Sequence, residues 1–76
     1  MSNRLPAVKP AQVLRALQRA GFYICRIRGS HHYLKHGSKP DILVCVPLHT
    51  ADLKRGTLQS IIDQTGLSVD EFIELL

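Results

Sequence analysis

The sequence predicts an α+β fold, a two-layer sandwich in which helices cover one face of a three-stranded antiparallel sheet. Two observations support this fold: apolar residues recur at helical spacing near both ends of the chain, and three β-type segments separated by short turns lie between them. The length of 76 residues is that of one small domain. We therefore predict a single domain over residues 1–76 with the order α-β-β-β-α and a short extra C-terminal helix.

The first predicted helix covers residues 10–20. Residues 1–8 precede it and are expected to be a loose leader, bracketed by Pro6 and Pro10. Pro10 suits the first turn of a helix, where its missing N–H needs no partner, and Gly21 suits the end of the helix. The predicted buried stripe consists of Val13, Leu14, Leu17 and Ala20.

Three strands are predicted to follow as an antiparallel meander. Residues 22–28 and 31–36 flank a short turn at Gly29-Ser30, and both segments are rich in residues that favour strands. A second turn over residues 37–41 leads to a nearly all-apolar strand over residues 42–46. Strict alternation along the first strand puts Tyr23, Cys25 and Ile27 on one face and Phe22, Ile24, Arg26 and Arg28 on the other.

Two further helices are predicted after a connector. The second helix begins near residues 55–57, buries Leu58, Ile61 and Ile62, and ends at Gly66. Ser68 and Glu71 have the spacing of a capping box, which predicts a last helix over residues 68–76. The residues that this helix should bury are Val69, Phe72, Ile73 and Leu76. The resulting order of elements is the layout of double-stranded-RNA-binding domains.

One face of the predicted sheet gathers cations around a histidine. An apolar residue in a half-buried strand marks the core side, so Leu34 assigns His32 and His36 to the core side and His31 to the outer side. The outer set is then Arg26, Arg28, His31, Tyr33 and Lys35. Such a surface indicates a polyanionic partner, because the first 40 residues hold eight Lys and Arg and no acid.

The two cysteines are expected to be buried free thiols. Cys25 and Cys45 lie far apart in the sequence and within apolar segments. The first residues contain no apolar signal segment and no stretch is long enough to span a membrane, so we expect a reducing cytoplasm and no membrane partner.

Five short motifs, in order along the chain, carry a resemblance to a known family. They are Ala20-Gly21-Phe22, Arg28-Gly29-Ser30-His31-His32, Val46-Pro47-Leu48-His49, Lys54-Arg55-Gly56-Thr57-Leu58 and Gly66-Leu67. With these motifs the chain resembles the HicA family of toxins from bacterial toxin–antitoxin pairs, also called YcfA-like proteins, from about Lys9 to Leu76. Many relatives have proline where this chain has Arg55.

The resemblance implies a fold like that of double-stranded-RNA-binding domains and an mRNA interferase activity, which is ribosome-independent cleavage of RNA. It implies that the histidine of Gly-Ser-His, here His31, is the catalytic residue. It also implies a HicB antitoxin that binds the toxin and covers His31.

The residues themselves allow this chemistry without a metal or a cofactor. RNA supplies its own nucleophile, the 2′-OH, and imidazole can act as base or acid near neutral pH. The second proton-transfer group stays open among His32, Tyr33 and water. A metal site is not expected, because the histidines lack the spacing of common metal sites. A nucleophilic Ser30–His31 pair is not expected either, since neighbours on a strand diverge.

RNA is predicted to contact ten residues around His31. They are Arg26, Arg28, Ser30, His32, Tyr33, Lys35, Lys54, Arg55, Gly56 and Thr57. The last three open the second helix, where backbone N–H groups favour an anion. Two alternatives stay open: a non-catalytic RNA-binding module, in which His31 contacts phosphate or 2′-OH, and a subunit whose basic face binds only an acidic antitoxin.

Overall fold

Helices and strands follow one another in the predicted order. A computed structural model describes residues 5–49 and 51–76. The elements of these residues are α1 (Pro10–Arg19), β1 (Phe22–Arg28), β2 (His31–His36), β3 (Lys39–Pro47), α2 (Arg55–Thr65) and α3 (Val69–Leu75). The strands form an antiparallel sheet in the order β1-β2-β3. The α+β class and the α-β-β-β-α order with an extra C-terminal helix are confirmed.

The hydrophobic core lies between the helices and one face of the sheet. Its fully buried side chains come from all three helices and all three strands, which fixes the helices on the same face. The strands contribute Phe22, Leu34, Val44 and Val46, and the helices contribute Val13, Ala16, Leu17, Leu58, Ile61, Ile62 and Phe72. The opposite face of the sheet bears no helix in the described part of the chain.

The segment before α1 is packed rather than loose. Leu5 and Val8 are buried in the core, at 6% and 3% exposure, and the Leu53 N–H donates to the Val8 carbonyl at 3.0 Å. The expectation of a loose leader over residues 1–8 is therefore wrong for residues 5–8. Its first part, residues 1–4, lies outside the described residues.

A β-bulge at Cys25 changes the faces of β1. Ile24 lies opposite Leu34 and Arg26 lies opposite Tyr33, so Cys25 is the extra residue in β1. The bulge lets Phe22 and Ile24 face the core while Arg26 and Arg28 face away from it. Strict alternation along β1 was therefore a wrong prediction. The bulge also leaves Cys25 exposed and Cys45 is half-buried, so the expected burial of both free thiols is corrected.

Strand β3 is longer than predicted. It begins at Lys39, so the turn after β2 consists of Gly37 and Ser38 only and the predicted turn over residues 37–41 is too long. β3 is an edge strand, where Pro40 is tolerated because the missing N–H can face solvent.

The last two helices are bounded as the sequence predicts. Gly66 ends α2 with φ of +80°, and Ser68 caps α3, accepting from the Glu71 N–H at 3.1 Å while the Ser68 N–H donates to the Glu71 carboxylate at 2.8 Å. The bond from the Ser68 N–H, with a smaller contribution from the Ser68 hydroxyl, lowers the pKa of Glu71 below its ordinary value. Leu75 packs against the core, whereas Leu76 is 40% exposed, which corrects the predicted stripe.

His36 anchors the end of β2 to the end of α1. Its Nε2 lies 3.0 Å from the Ala20 carbonyl, and its Nδ1 accepts from the Ser38 N–H at 3.1 Å. Its ring meets the ring of Phe22 edge-on, with centroids 4.9 Å apart. His36 is thus a structural histidine.

Candidate nucleic-acid interface

His31 lies on the face of the sheet that bears no helix in the described residues. It is the first residue of β2 and is exposed, opposite Arg28 on β1 and Pro47 on β3. Leu34, three positions later, is completely buried, so His31 and Leu34 face opposite sides of the sheet. The outward orientation of His31 that the sequence predicts is confirmed.

The turn that precedes His31 is fixed to the segment after β3. The Leu48 N–H donates to the Ser30 carbonyl at 2.6 Å. This bond continues the pairing of β2 with β3 one residue beyond His31 and Pro47. The backbone that carries His31 is therefore held from both sides, by Arg28 on β1 and by β3.

An open cleft of about 320 Å³ lies on the same face. Its lining residues are Cys25, Arg26, Tyr33, Lys35 and Leu43. The Arg26 guanidinium stacks on the Tyr33 ring at 4.9 Å from the centroid. Tyr33 is two positions after His31 on the same strand face, so the cleft and His31 adjoin. Two cations and an aromatic ring suit a phosphate and a base.

A second cleft of about 330 Å³ lies at the C-terminal end of β3. It is lined by Pro47, His49, Ala51, Asp52, Leu53, Lys54 and Thr57. Lys54 occupies the N-cap position of α2, and no side chain caps this helix. Its first N–H groups therefore point toward solvent or an anion. Pro47, the strand partner of His31, belongs to the lining of this second cleft.

The side chains of two residues predicted to contact RNA do not share the sheet face of His31. His32 pairs with Val46, which is buried, and is itself half-buried on the core side with Nδ1 3.4 Å from the Ser30 carbonyl. Arg55 donates to the Leu5 carbonyl at 3.4 Å and lines a different cleft, formed with the segment before α1. A role for either residue in RNA binding stays a prediction that this geometry does not favour.

Of the other predicted contacts, Arg28 and Ser30 lie next to His31, Gly56 lies in the first turn of α2, and five more line the two clefts. Arg26, Tyr33 and Lys35 line the first cleft, and Lys54 and Thr57 line the second. The site also includes residues to which the sequence assigned no role. They are Cys25, Leu43 and His49, and for His49 the available signal was its place in the Val46-Pro47-Leu48-His49 motif.

No group of three or more His, Cys, Asp or Glu side chains among the described residues is placed to hold a metal ion. No helix in residues 5–49 or 51–76 is long and apolar enough to cross a membrane.

A family model described as the HicA toxin of bacterial toxin-antitoxin matches residues 10–67. The match covers more than half of the chain and includes the sheet, His31 and both clefts. The chain is accordingly a toxin of a bacterial toxin–antitoxin system, and such a toxin has an antitoxin as its partner. It belongs to the HicA toxin family, which confirms the resemblance seen in its motifs. No curated protein matches the chain.

Proposed function

We propose that this toxin is an endoribonuclease that cleaves mRNA without a metal ion, with His31 as a proton-transfer group. The observation that carries the proposal is that His31 is exposed on the sheet face that bears no helix in the described residues and that its neighbours line two clefts, Tyr33 on its own strand the first and its strand partner Pro47 the second. These clefts present Arg26, Lys35 and Lys54. An imidazole can move a proton near neutral pH, and the cations can hold an RNA backbone.

The reaction follows from the chemistry of RNA. The 2′-OH loses its proton, its oxygen attacks the adjacent phosphorus, and the 5′-oxygen leaves with a proton. His31 removes the first proton in its neutral form or supplies the second in its protonated form, an effect worth about 10²–10⁴-fold in rate. Arg28, opposite His31, offsets the negative charge that develops on the phosphate.

The cleft beside His31 supplies binding. A base that stacks on Tyr33 contributes about 1–3 kcal/mol, largely regardless of its identity. Arg26 and Lys35 are placed to hold the phosphates on either side of that base. No cofactor takes part in this scheme.

The antitoxin proposed for this surface is a HicB-like protein that covers His31. Tyr23 and Leu43 are about half exposed, at 51% and 49%, although they are large apolar residues. Apolar residues among cations fit a partner surface that combines apolar and acidic groups. Binding there excludes RNA from His31 by direct competition.

The test is a single-turnover assay with end-labelled RNA in EDTA. Wild type is expected to cleave, and His31→Ala to be slower by at least 10²-fold while still folded and still binding RNA. Arg15→Ala serves as the control, because Arg15 is exposed on α1, in the helix layer. Intact RNA after incubation with excess wild type contradicts the proposal.

A second candidate is a non-catalytic RNA-binding module. The Arg26–Tyr33 stack favours it, because this cleft can bind a nucleotide without help from His31. In that case wild type and His31→Ala bind RNA with a salt-dependent affinity, and neither cleaves it.

A further inference from the structure

From the pairing of β2 with β3 we infer that His49 is the second proton-transfer residue of the site. This inference rests on the function proposed above, since it supplies the group that complements His31.

The register puts His49 diagonally across from His31. His31 lies opposite Pro47, and the hydrogen bond from the Leu48 N–H to the Ser30 carbonyl extends this register by one residue. His49 is two residues beyond Pro47. In an antiparallel pair such diagonal neighbours on one face are about 7–8 Å apart.

Burial indicates that Leu48 keeps to the core side beyond the end of β3, as the fully buried Val46 does within it. Leu48 is half-buried and packs against the core, whereas His49 is exposed and lines the second cleft. Because consecutive residues of an extended segment face opposite sides, His49 lies on the same side of the sheet as Pro47 and His31.

This separation suits an acid and a base that act on one phosphate. In cleavage by the 2′-OH, the attacking and leaving oxygens occupy opposite positions around phosphorus. Two groups that each hydrogen-bond one of these oxygens stand roughly 6–9 Å apart, given hydrogen bonds of about 2.8 Å. Because the spacing of about 7–8 Å is that of the Cα atoms, two imidazole side chains that start from these positions on one face can both reach a single scissile phosphate.

The other candidates are less suited to this role. His32 faces the core side, opposite Val46. Tyr33 faces outward, but a phenol is a less effective proton-transfer group near neutral pH than an imidazole. The Tyr33 ring is also covered by the Arg26 guanidinium. An imidazole is the better acid or base.

Charged groups from three elements surround the histidine pair. Arg28 on β1 lies opposite His31, and Lys54, at the start of α2, lines the cleft of His49. Asp52 lines this cleft too, but its carboxylate is bound by the Lys9 ammonium at 3.3 Å. A phosphate bound between the histidines is thus flanked by two cations.

The first test is the pH profile of kcat/KM for RNA cleavage in EDTA. Wild type is expected to show a bell-shaped profile, with one limb from a neutral and one from a protonated imidazole. His49→Ala should be slower by about 10²–10⁴-fold and lose one limb, and His31→Ala should lose the other. Arg15→Ala should keep both limbs.

The second test uses an RNA with sulfur in place of the 5′-oxygen of the scissile bond. A thiolate leaves without a proton, so the substrate no longer needs the acid. One of the two alanine variants is expected to regain most of the wild-type rate, which identifies the acid; rescue of both or of neither overturns the paired mechanism.

The outcomes separate this inference from the proposed function. If wild type cleaves RNA and His49→Ala cleaves equally well with both limbs intact, His49 has no proton-transfer role and His31 acts with another group. If wild type does not cleave RNA at all, the proposed function and this inference both fail.

Discussion

Replacing Gly21 with alanine is expected to destabilise the fold strongly, because two independent effects act at this position. The residue has φ of +100°, a conformation that costs an L-residue about 1–2 kcal/mol. A Cβ added there would also lie 2.7 Å from Nε2 of His36 and 3.3 Å from its Cδ2. The imidazole ring has to move.

Moving the His36 ring breaks the contacts that anchor the end of β2. The hydrogen bond between Nε2 and the Ala20 carbonyl is worth about 1 kcal/mol, and the edge-on contact with Phe22 about 0.5–1.5 kcal/mol. We expect Gly21→Ala to lose about 3 kcal/mol in free energy of unfolding. In a chain of this size that lowers Tm by about 12–24 °C.

Urea denaturation followed by circular dichroism measures this loss, with two other glycines as controls. Gly29 has φ of +58° and open space around it, so Gly29→Ala tests the backbone cost alone, about 1–2 kcal/mol. Gly37 has neither a positive φ nor a close neighbour, and Gly37→Ala should change stability by less than about 0.5 kcal/mol. If Gly21→Ala costs no more than Gly29→Ala, the His36 contact does not anchor β2.

Three further predictions concern RNA binding and the last helix. Lys35→Ala should weaken RNA binding and reduce the slope of log K against the logarithm of salt concentration by about 1. Arg15→Ala, in the helix layer, should change neither quantity. Fluorescence anisotropy at several salt concentrations measures both. Ser68→Ala removes the cap of α3 and should lower the free energy of unfolding by about 1 kcal/mol in urea titrations. Folding lowers the pKa of Glu71, so its ionised form stabilises the fold above the ordinary pKa of a carboxyl group, and this stabilisation is lost as pH falls through the lowered value. The free energy of unfolding of Glu71→Gln should therefore depend less on pH in that acidic range than that of wild type. An unchanged pH dependence would contradict the assignment.

The sequence predicted the outward histidine correctly because a single strong signal decided it. Leu34 lies in a strand of alternating pattern, and a fully buried leucine there assigns His31 to the other face. The same alternation failed in β1. The bulge at Cys25 depends on how β1 pairs with β2, and no residue type in the strand predicts it.

The segment before α1 shows a second limit of prediction from sequence. Residues 5–8 contain Pro6 and end shortly before Pro10, and four residues are too few for any periodicity. The burial of Leu5 and Val8 is decided by the space beside Leu53 and Leu58, which lie more than forty residues later in the chain. Likewise, the pairing of His31 with Pro47, on which the inferred role of His49 rests, becomes visible only once the register of β2 and β3 is known.

The most direct test of metal-free cleavage at His31 is to identify the ends of the RNA fragments formed in EDTA by wild type and by His31→Ala, using mass spectrometry. Attack by the 2′-OH predicts a 2′,3′-cyclic phosphate and a 5′-hydroxyl from wild type, their loss in His31→Ala, and no cleavage where the scissile nucleotide is 2′-deoxy. A 3′-hydroxyl with a 5′-phosphate, or the same yield from His31→Ala, would contradict the mechanism.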